Sequence, residues 1–82
     1  MSYYKLEREV VGAFDNENLK LMAGVTYAFR RVEHLDQEMV KHNANLFFDE
    51  LKKRKLLYEV NIKVQDFLER LEREEKEQTN VR

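Results

Sequence analysis

Two histidines and one glutamate recur every four positions in the middle of this sequence. His34, Glu38 and His42 would lie along one face of a helix. Imidazole nitrogens and carboxylates are zinc ligands, but a zinc site needs ligands that converge on one point. Residues eight positions apart on one helix are separated by about 12 Å along its axis. We therefore interpret the three residues as an exposed polar stripe that could bind a metal only between chains.

The other side-chain arrangements that support catalysis are missing from the sequence. There is no cysteine, no serine lies beside a histidine, and no glycine-rich segment could surround a phosphate. Glu38 has no activated partner that would make it a general base. The sequence therefore predicts a protein that is not an enzyme and that uses no cofactor.

A group of cationic residues is the second candidate site. A helical hairpin folded at Asn43 and Ala44 would bring residues 30–31 level with residues 52–55, because both arms rise equally per residue. The cluster would contain Arg30, Arg31, Lys52, Lys53, Arg54 and Lys55. Such a patch could bind nucleic-acid phosphates or an acidic protein surface. The alternative interpretation is a charged surface that contacts only water.

Aromatic side chains extend this predicted contact surface. Phe47, Phe48 and Leu51 are out of register with the apolar stripe that follows them, so we expect them to be exposed and available to a partner or a second copy. Aromatic and arginine side chains commonly anchor protein interfaces. The predicted partner-binding residues are Arg30, Arg31, Phe48, Lys52, Lys53, Arg54, Lys55 and Tyr58.

Helical periodicity predicts the elements that would position these residues. An apolar stripe with spacings of three and four residues is formed by Leu57, Val60, Val64, Phe67 and Leu71. The absence of proline and the high charged fraction, 38%, are typical of an all-α domain. We predict helices over residues 3–14, 17–41 and 45–76, with Asp15 or Asn16 capping the second helix. They would form a three-helix bundle with a long helical hairpin that turns at residues 42–45.

Two structural alternatives stay open at this point. Residues 58–64 alternate between apolar and polar as a strand would, and residues 24–29 could pair with them in an α+β fold with a two-stranded ribbon. The apolar phase also changes at residues 52–55, so the third helix could be interrupted there. We expect one helical domain over residues 1–76 and a frayed polar tail over residues 77–82.

Length and charge limit the classes of partner. The 15 Lys and Arg residues nearly balance the 16 Asp and Glu residues, so no overall field attracts nucleic acid or anionic lipid. No segment approaches the roughly 20 apolar residues of a membrane span, and we expect a cytoplasmic protein without membrane contacts. A chain of 82 residues has a small core. We therefore expect self-association, as in a dimer, or completion by a partner.

A further pattern runs without a gap through residues 42–71. It consists of His42, Leu46, Phe47, Leu51, Lys55, Leu56, Glu69 and Arg70. This pattern resembles the C-terminal half of the transposon-encoded TnpV-like proteins, although Lys53 and Arg54 stand where that family has small residues. The resemblance implies a mobile-element origin and helical structure, and it carries no catalytic residue.

These observations favour a protein-binding function. We expect a small non-enzymatic helical module that acts as a regulator, adaptor or inhibitor. It would be encoded by a phage or another mobile element and would bind a host protein. The alternative function is that of a nucleic-acid-binding accessory protein, which would use the local basic patch.

The all-α prediction can be checked by far-UV circular dichroism. We expect helical content above about half of the chain, since the charged, proline-free segments favour helix. A spectrum dominated by strand would instead support pairing of residues 24–29 with residues 58–64.

Overall fold

The computed structural model describes residues 4–80, with side chains described as far as residue 74, and this part of the chain is all-α. The helices are α1 (Arg8–Gly12), α2 (Asn16–Phe29), α3 (Gln37–Lys53) and α4 (Ile62–Asn80), and a 3₁₀ turn (Leu57–Glu59) precedes α4. The predicted fold class is confirmed. No strand occurs within residues 4–80, so the α+β alternative is wrong.

Residues 4–7, before α1, form no regular secondary structure, whereas a helix was predicted from residue 3. The side chain of Asn43, which is fully buried, bonds to this segment at two points. The Leu6 N–H donates to Asn43 Oδ1 at 2.7 Å, and Asn43 Nδ2 donates to the Tyr4 carbonyl oxygen at 2.7 Å. These hydrogen bonds satisfy backbone groups that a helical turn would otherwise pair. Tyr3, the predicted start of the helix, lies outside the described residues.

The predicted helix over residues 17–41 is two helices joined by a turn. Asp15 caps α2 as predicted, since its Oδ1 accepts a hydrogen bond from the Asn18 N–H at 2.8 Å. A second cap, Asp36, accepts from the Glu38 N–H at 3.0 Å and begins α3. The hairpin therefore turns at residues 30–36.

The predicted turn at residues 42–45 is wrong, because these residues lie inside α3. Their polar character indicated a loop, but two of the polar side chains bond to the segment before α1. Asn43 makes the two bonds described above, and His42 Nε2 lies 2.8 Å from the Leu6 carbonyl oxygen. A polar group can lie inside a helix without breaking it when a neighbouring segment satisfies its hydrogen bonds.

The predicted helix over residues 45–76 is interrupted where the apolar phase changes. Lys55 has a φ of 62°, the left-handed conformation that often ends a helix. The Leu56 N–H donates to the Leu51 carbonyl oxygen at 2.8 Å and closes α3. After the 3₁₀ turn, Asn61 Oδ1 accepts from the Lys63 N–H at 2.8 Å at the start of α4.

The core lies around α3, which contacts α1, α2 and α4. The predicted stripe contributes Leu57, Val64, Phe67 and Leu71 to this core, and Val60 packs against its edge. Phe47, Phe48 and Leu51 are also buried, so the prediction that they form an exposed contact surface is wrong. Their different phase reflects the position of α3, which is covered by several neighbours.

The predicted domain limits stay a prediction. The α4 backbone is helical to Asn80, while the side chains from residue 75 onward and residues 81–82 lie outside the description. Within residues 4–80, no helix combines the length and apolar character that crossing a bilayer requires.

Replacing Asn43 with alanine should lower the free energy of unfolding by about 2–3 kcal/mol, because the Leu6 N–H and the Tyr4 carbonyl oxygen would lose their partners. Urea unfolding followed by circular dichroism measures this change. The control is Asn18→Ala, which alters an exposed asparagine and should change stability by less than about 1 kcal/mol. Equal effects of the two substitutions would contradict the structural role of Asn43.

Candidate interaction surface

The predicted cluster of six cations does not form. Arg54 follows α3, and its Nη1 donates to Asn16 Oδ1 at 3.0 Å, so residues 52–55 lie beside the start of α2. Arg30 directly follows the last residue of α2. A helix of 14 residues rises about 21 Å, so the two groups of cations lie at opposite ends of α2. The error follows from placing the hairpin turn at residues 42–45.

Arg54 holds the connection between α1 and α2 and is not a free cation. Its Nε donates to Glu50 Oε2 at 2.8 Å. Its Nη1 donates to the Phe14 carbonyl oxygen at 2.7 Å, and its Nη2 donates to the Gly12 carbonyl oxygen at 3.0 Å. A planar guanidinium can satisfy several acceptors at once in this way. Arg54 therefore has a structural role.

The other predicted contact residues of this region differ in accessibility. Phe48 is buried, and Lys52 Nζ lies 4.3 Å from its ring centroid while pairing with Glu72 Oε2 at 3.1 Å. Lys53 and Lys55 are exposed, and Tyr58 is 83% exposed. Lys52 is exposed as well, so three lysines and one tyrosine of the predicted surface are accessible here.

Arg30 and Arg31 belong to a different cationic group, which α2 and α4 form together. We call this group the basic patch; it consists of Arg30, Arg31, Lys63 and Arg70, all of them exposed. With Tyr27, Asp66 and Phe67 they line a depression of about 190 Å³. Among the side chains that the structure describes, no carboxylate forms an ion pair with any of the four cations. The basic patch therefore carries a net positive charge, since Asp66 is the single carboxylate in the lining of the depression.

Two aromatic rings support the arginines of the basic patch. Tyr27 and Phe67 meet edge to face, with ring centroids 5.2 Å apart. The Arg30 Cζ atom lies 5.6 Å from the Phe67 centroid, and the Arg31 Cζ atom lies 5.9 Å from the Tyr27 centroid. Cation–π attraction holds a guanidinium over a ring without using its N–H donors. Both arginines thus keep their donors available to a ligand.

Sequence reasoning found half of the basic patch and missed Lys63 and Arg70. A signal was present, since Lys63, Phe67 and Arg70 follow at four and three residues and share one face of α4. The spacing did not show that this face of α4 lies beside the end of α2. The contact between Tyr27 of α2 and Phe67 of α4 brings Arg30 and Arg31 together with Lys63 and Arg70.

A separate charged group lies nearer the start of α2. Lys20 Nζ contacts Glu17 Oε2 at 2.7 Å and Glu59 Oε1 at 2.9 Å. The hydrogen bond to Glu17, followed by that to Glu59, raises the pKa of Lys20 above its ordinary value. Two carboxylates therefore surround the single charge of Lys20.

The residues of the predicted polar stripe, His34, Glu38 and His42, do not share one environment in the structure. His42 bonds to the segment before α1, whereas His34 lies in the turn between α2 and α3. In the part of the chain that is described, no three His, Asp or Glu side chains are grouped as metal ligands would be.

No protein-family model, curated protein or solved structure matches this chain. The resemblance of residues 42–71 to TnpV-like proteins therefore stays a prediction.

Replacing Arg54 with alanine should lower the free energy of unfolding by about 2–4 kcal/mol, because Gly12, Phe14 and Glu50 lose a charged donor. Arg54→Lys keeps the charge but not the planar fork and should recover only part of this loss. Thermal and urea unfolding measure both variants. Lys53→Ala, an exposed neighbour, should remain within about 0.5 kcal/mol of the unmodified chain. A stable Arg54→Ala variant would show that the residue is free for other contacts.

Proposed function

We propose that this protein is a small non-enzymatic helical module that binds an acidic surface of another protein through the basic patch. The observation that carries the proposal is the convergence of four exposed cations, from the end of α2 and from α4, that form no ion pair with the described side chains. The total charge of the chain is only −1, so this positive charge is a local feature.

The chemistry of the basic patch fits carboxylate ligands. A guanidinium can donate two parallel hydrogen bonds to one carboxylate, and no hydrogen bond among the described residues occupies the side-chain donors of Arg30 or Arg31. Arginine is also common among residues that dominate interface energy. The exposed lysine side chain of Lys63 would add long-range attraction that speeds association.

Nucleic-acid binding is the second candidate function, because phosphates would satisfy the same donors. The geometry of the aromatic rings favours a protein partner. Phe67 is buried, and a guanidinium group already lies over each of the Tyr27 and Phe67 rings, which reduces the aromatic surface on which a base could stack.

The proposal includes a biological role for this binding. A cytoplasmic regulator, adaptor or inhibitor encoded by a mobile element is consistent with the resemblance of residues 42–71 to TnpV-like proteins. Self-association remains part of the proposal, but Phe47, Phe48 and Leu51 are buried and would not form a dimer interface. A dimer would therefore use another surface.

Affinity purification from the native host, quantified by mass spectrometry, tests the function. The double substitution Arg30→Glu and Arg31→Glu should abolish recovery of the partner because it replaces attraction by repulsion. The matched control, Lys53→Glu with Lys55→Glu, makes the same change in charge at the other end of α2 and should retain the partner.

Two further observations decide between the candidate functions. Nuclease treatment of the lysate should leave recovery unchanged, and fluorescence anisotropy should detect no binding to duplex or single-stranded oligonucleotides. A partner lost after nuclease treatment, or oligonucleotide binding that weakens steeply with salt, would support the nucleic-acid function instead.

A further inference from the structure

A second depression, of about 470 Å³, adjoins the basic patch along the contact between α2 and α4. Its apolar lining is formed by Leu21, Gly24, Val25, Val60 and Val64. Tyr27 lies three residues after Gly24 in α2, and Phe67 lies three residues after Val64 in α4, so on both helices the lining residues of the two depressions are neighbours on one face. We call the two depressions together the α2–α4 groove.

Large apolar side chains are exposed at this groove. Leu21, in its lining, is 62% exposed, and Ile62, next to the lining residue Asn61, is 63% exposed. Isolated apolar side chains are common on protein surfaces, whereas a group that borders a depression is typical of an interaction site.

Gly24 lies in the floor of the groove, in the middle of α2. Glycine inside a helix costs about 1 kcal/mol relative to alanine. No feature of the described fold requires it, since its φ is not positive and an added Cβ would meet no atom within 4 Å. The missing side chain leaves the α2 backbone open to close approach from outside.

The two ends of the groove differ in charge. At one end two carboxylates, Glu17 and Glu59, surround Lys20. At the other end the four cations of the basic patch face one carboxylate, Asp66. A ligand with carboxylates at one end and none at the other would be oriented by this difference.

The dimensions of the groove fit a short helix. Lys20 contacts Glu59, and further along both segments Arg30 contacts Phe67, so the two walls run in the same direction. The distance along the axis of α2 from Lys20 to Arg30, which directly follows the helix, is about 15 Å, or nearly three helical turns. A groove between two helices accepts the ridge of side chains on a third helix.

We infer that the α2–α4 groove binds an amphipathic helix of an acidic partner protein, about three turns long. Its apolar side chains lie over Gly24, between Leu21 and Ile62, and its carboxylates contact the basic patch. This inference rests on the proposed function and adds the structural class of the ligand and its orientation.

The test begins with a random library of peptides about 16 residues long, which exceeds three helical turns, selected for binding to the full chain. The enriched peptides should share apolar residues at spacings of three and four, with Asp or Glu concentrated at one end. Nuclear magnetic resonance of the isotopically labelled chain should show shifts at Leu21, Gly24, Ile62 and Arg30.

Substitutions then separate the groove from the rest of the surface. Gly24→Leu fills the floor and Leu21→Glu places a charge in the apolar part, and each should weaken peptide binding by about tenfold or more. The control Val10→Glu changes an exposed apolar residue of α1 and should leave affinity unchanged. Gly24→Ala should raise the thermal midpoint of unfolding while weakening binding, a combination that damage to the fold cannot produce.

The outcomes distinguish this inference from the proposed function. Acidic peptides that lose affinity with Arg30→Glu but tolerate Gly24→Leu would overturn the groove and leave the basic patch as the binding site. Peptides without acidic residues, or no enriched peptide, would overturn the groove inference, whereas the affinity purification with Arg30→Glu and Arg31→Glu decides the proposed function separately.

Discussion

The packing of α3 against α1, α2 and α4 is the constraint on which the rest of the structure depends. A chain of this length, without cysteines, gains most of its stability from burial of apolar surface. A helix that is covered on several sides buries more apolar surface than one covered on a single side. The polar residues of α3 must then find hydrogen-bond partners inside the protein. Asn43 meets this requirement through the backbone of the segment before α1.

The position of α3 also determines which helices become neighbours at the surface. Because α2 and α4 both pack on α3, they lie side by side, and Tyr27 and Phe67 come into contact between them. That contact brings together cations that are more than thirty residues apart in the sequence. The basic patch is therefore a product of tertiary packing, and its arginines are supported by rings that belong to the edge of the core.

The cations of this protein have different roles that their residue type does not reveal. Arg54 donates hydrogen bonds to backbone carbonyl groups of the α1–α2 connection, and Lys52 pairs with Glu72. The side chains of the arginines that follow α2 have no such acceptors among the residues that the structure describes. The side chains best able to bind another molecule are those that the fold leaves unpaired, and they lie next to the apolar, glycine-containing groove.

The sequence by itself determined the all-α class, the Asp15 cap of α2 and the apolar stripe that includes Val64, Phe67 and Leu71, because capping and helical periodicity are local properties. It also marked the phase change at residues 52–55, where α3 ends. Only the tertiary structure decided that the polar residues 42–45 continue a helix, since their acceptors and donors lie almost forty residues away. It likewise decided that Phe48 is buried and that Arg30 and Arg31 join Lys63 and Arg70, because both depend on where the chain turns.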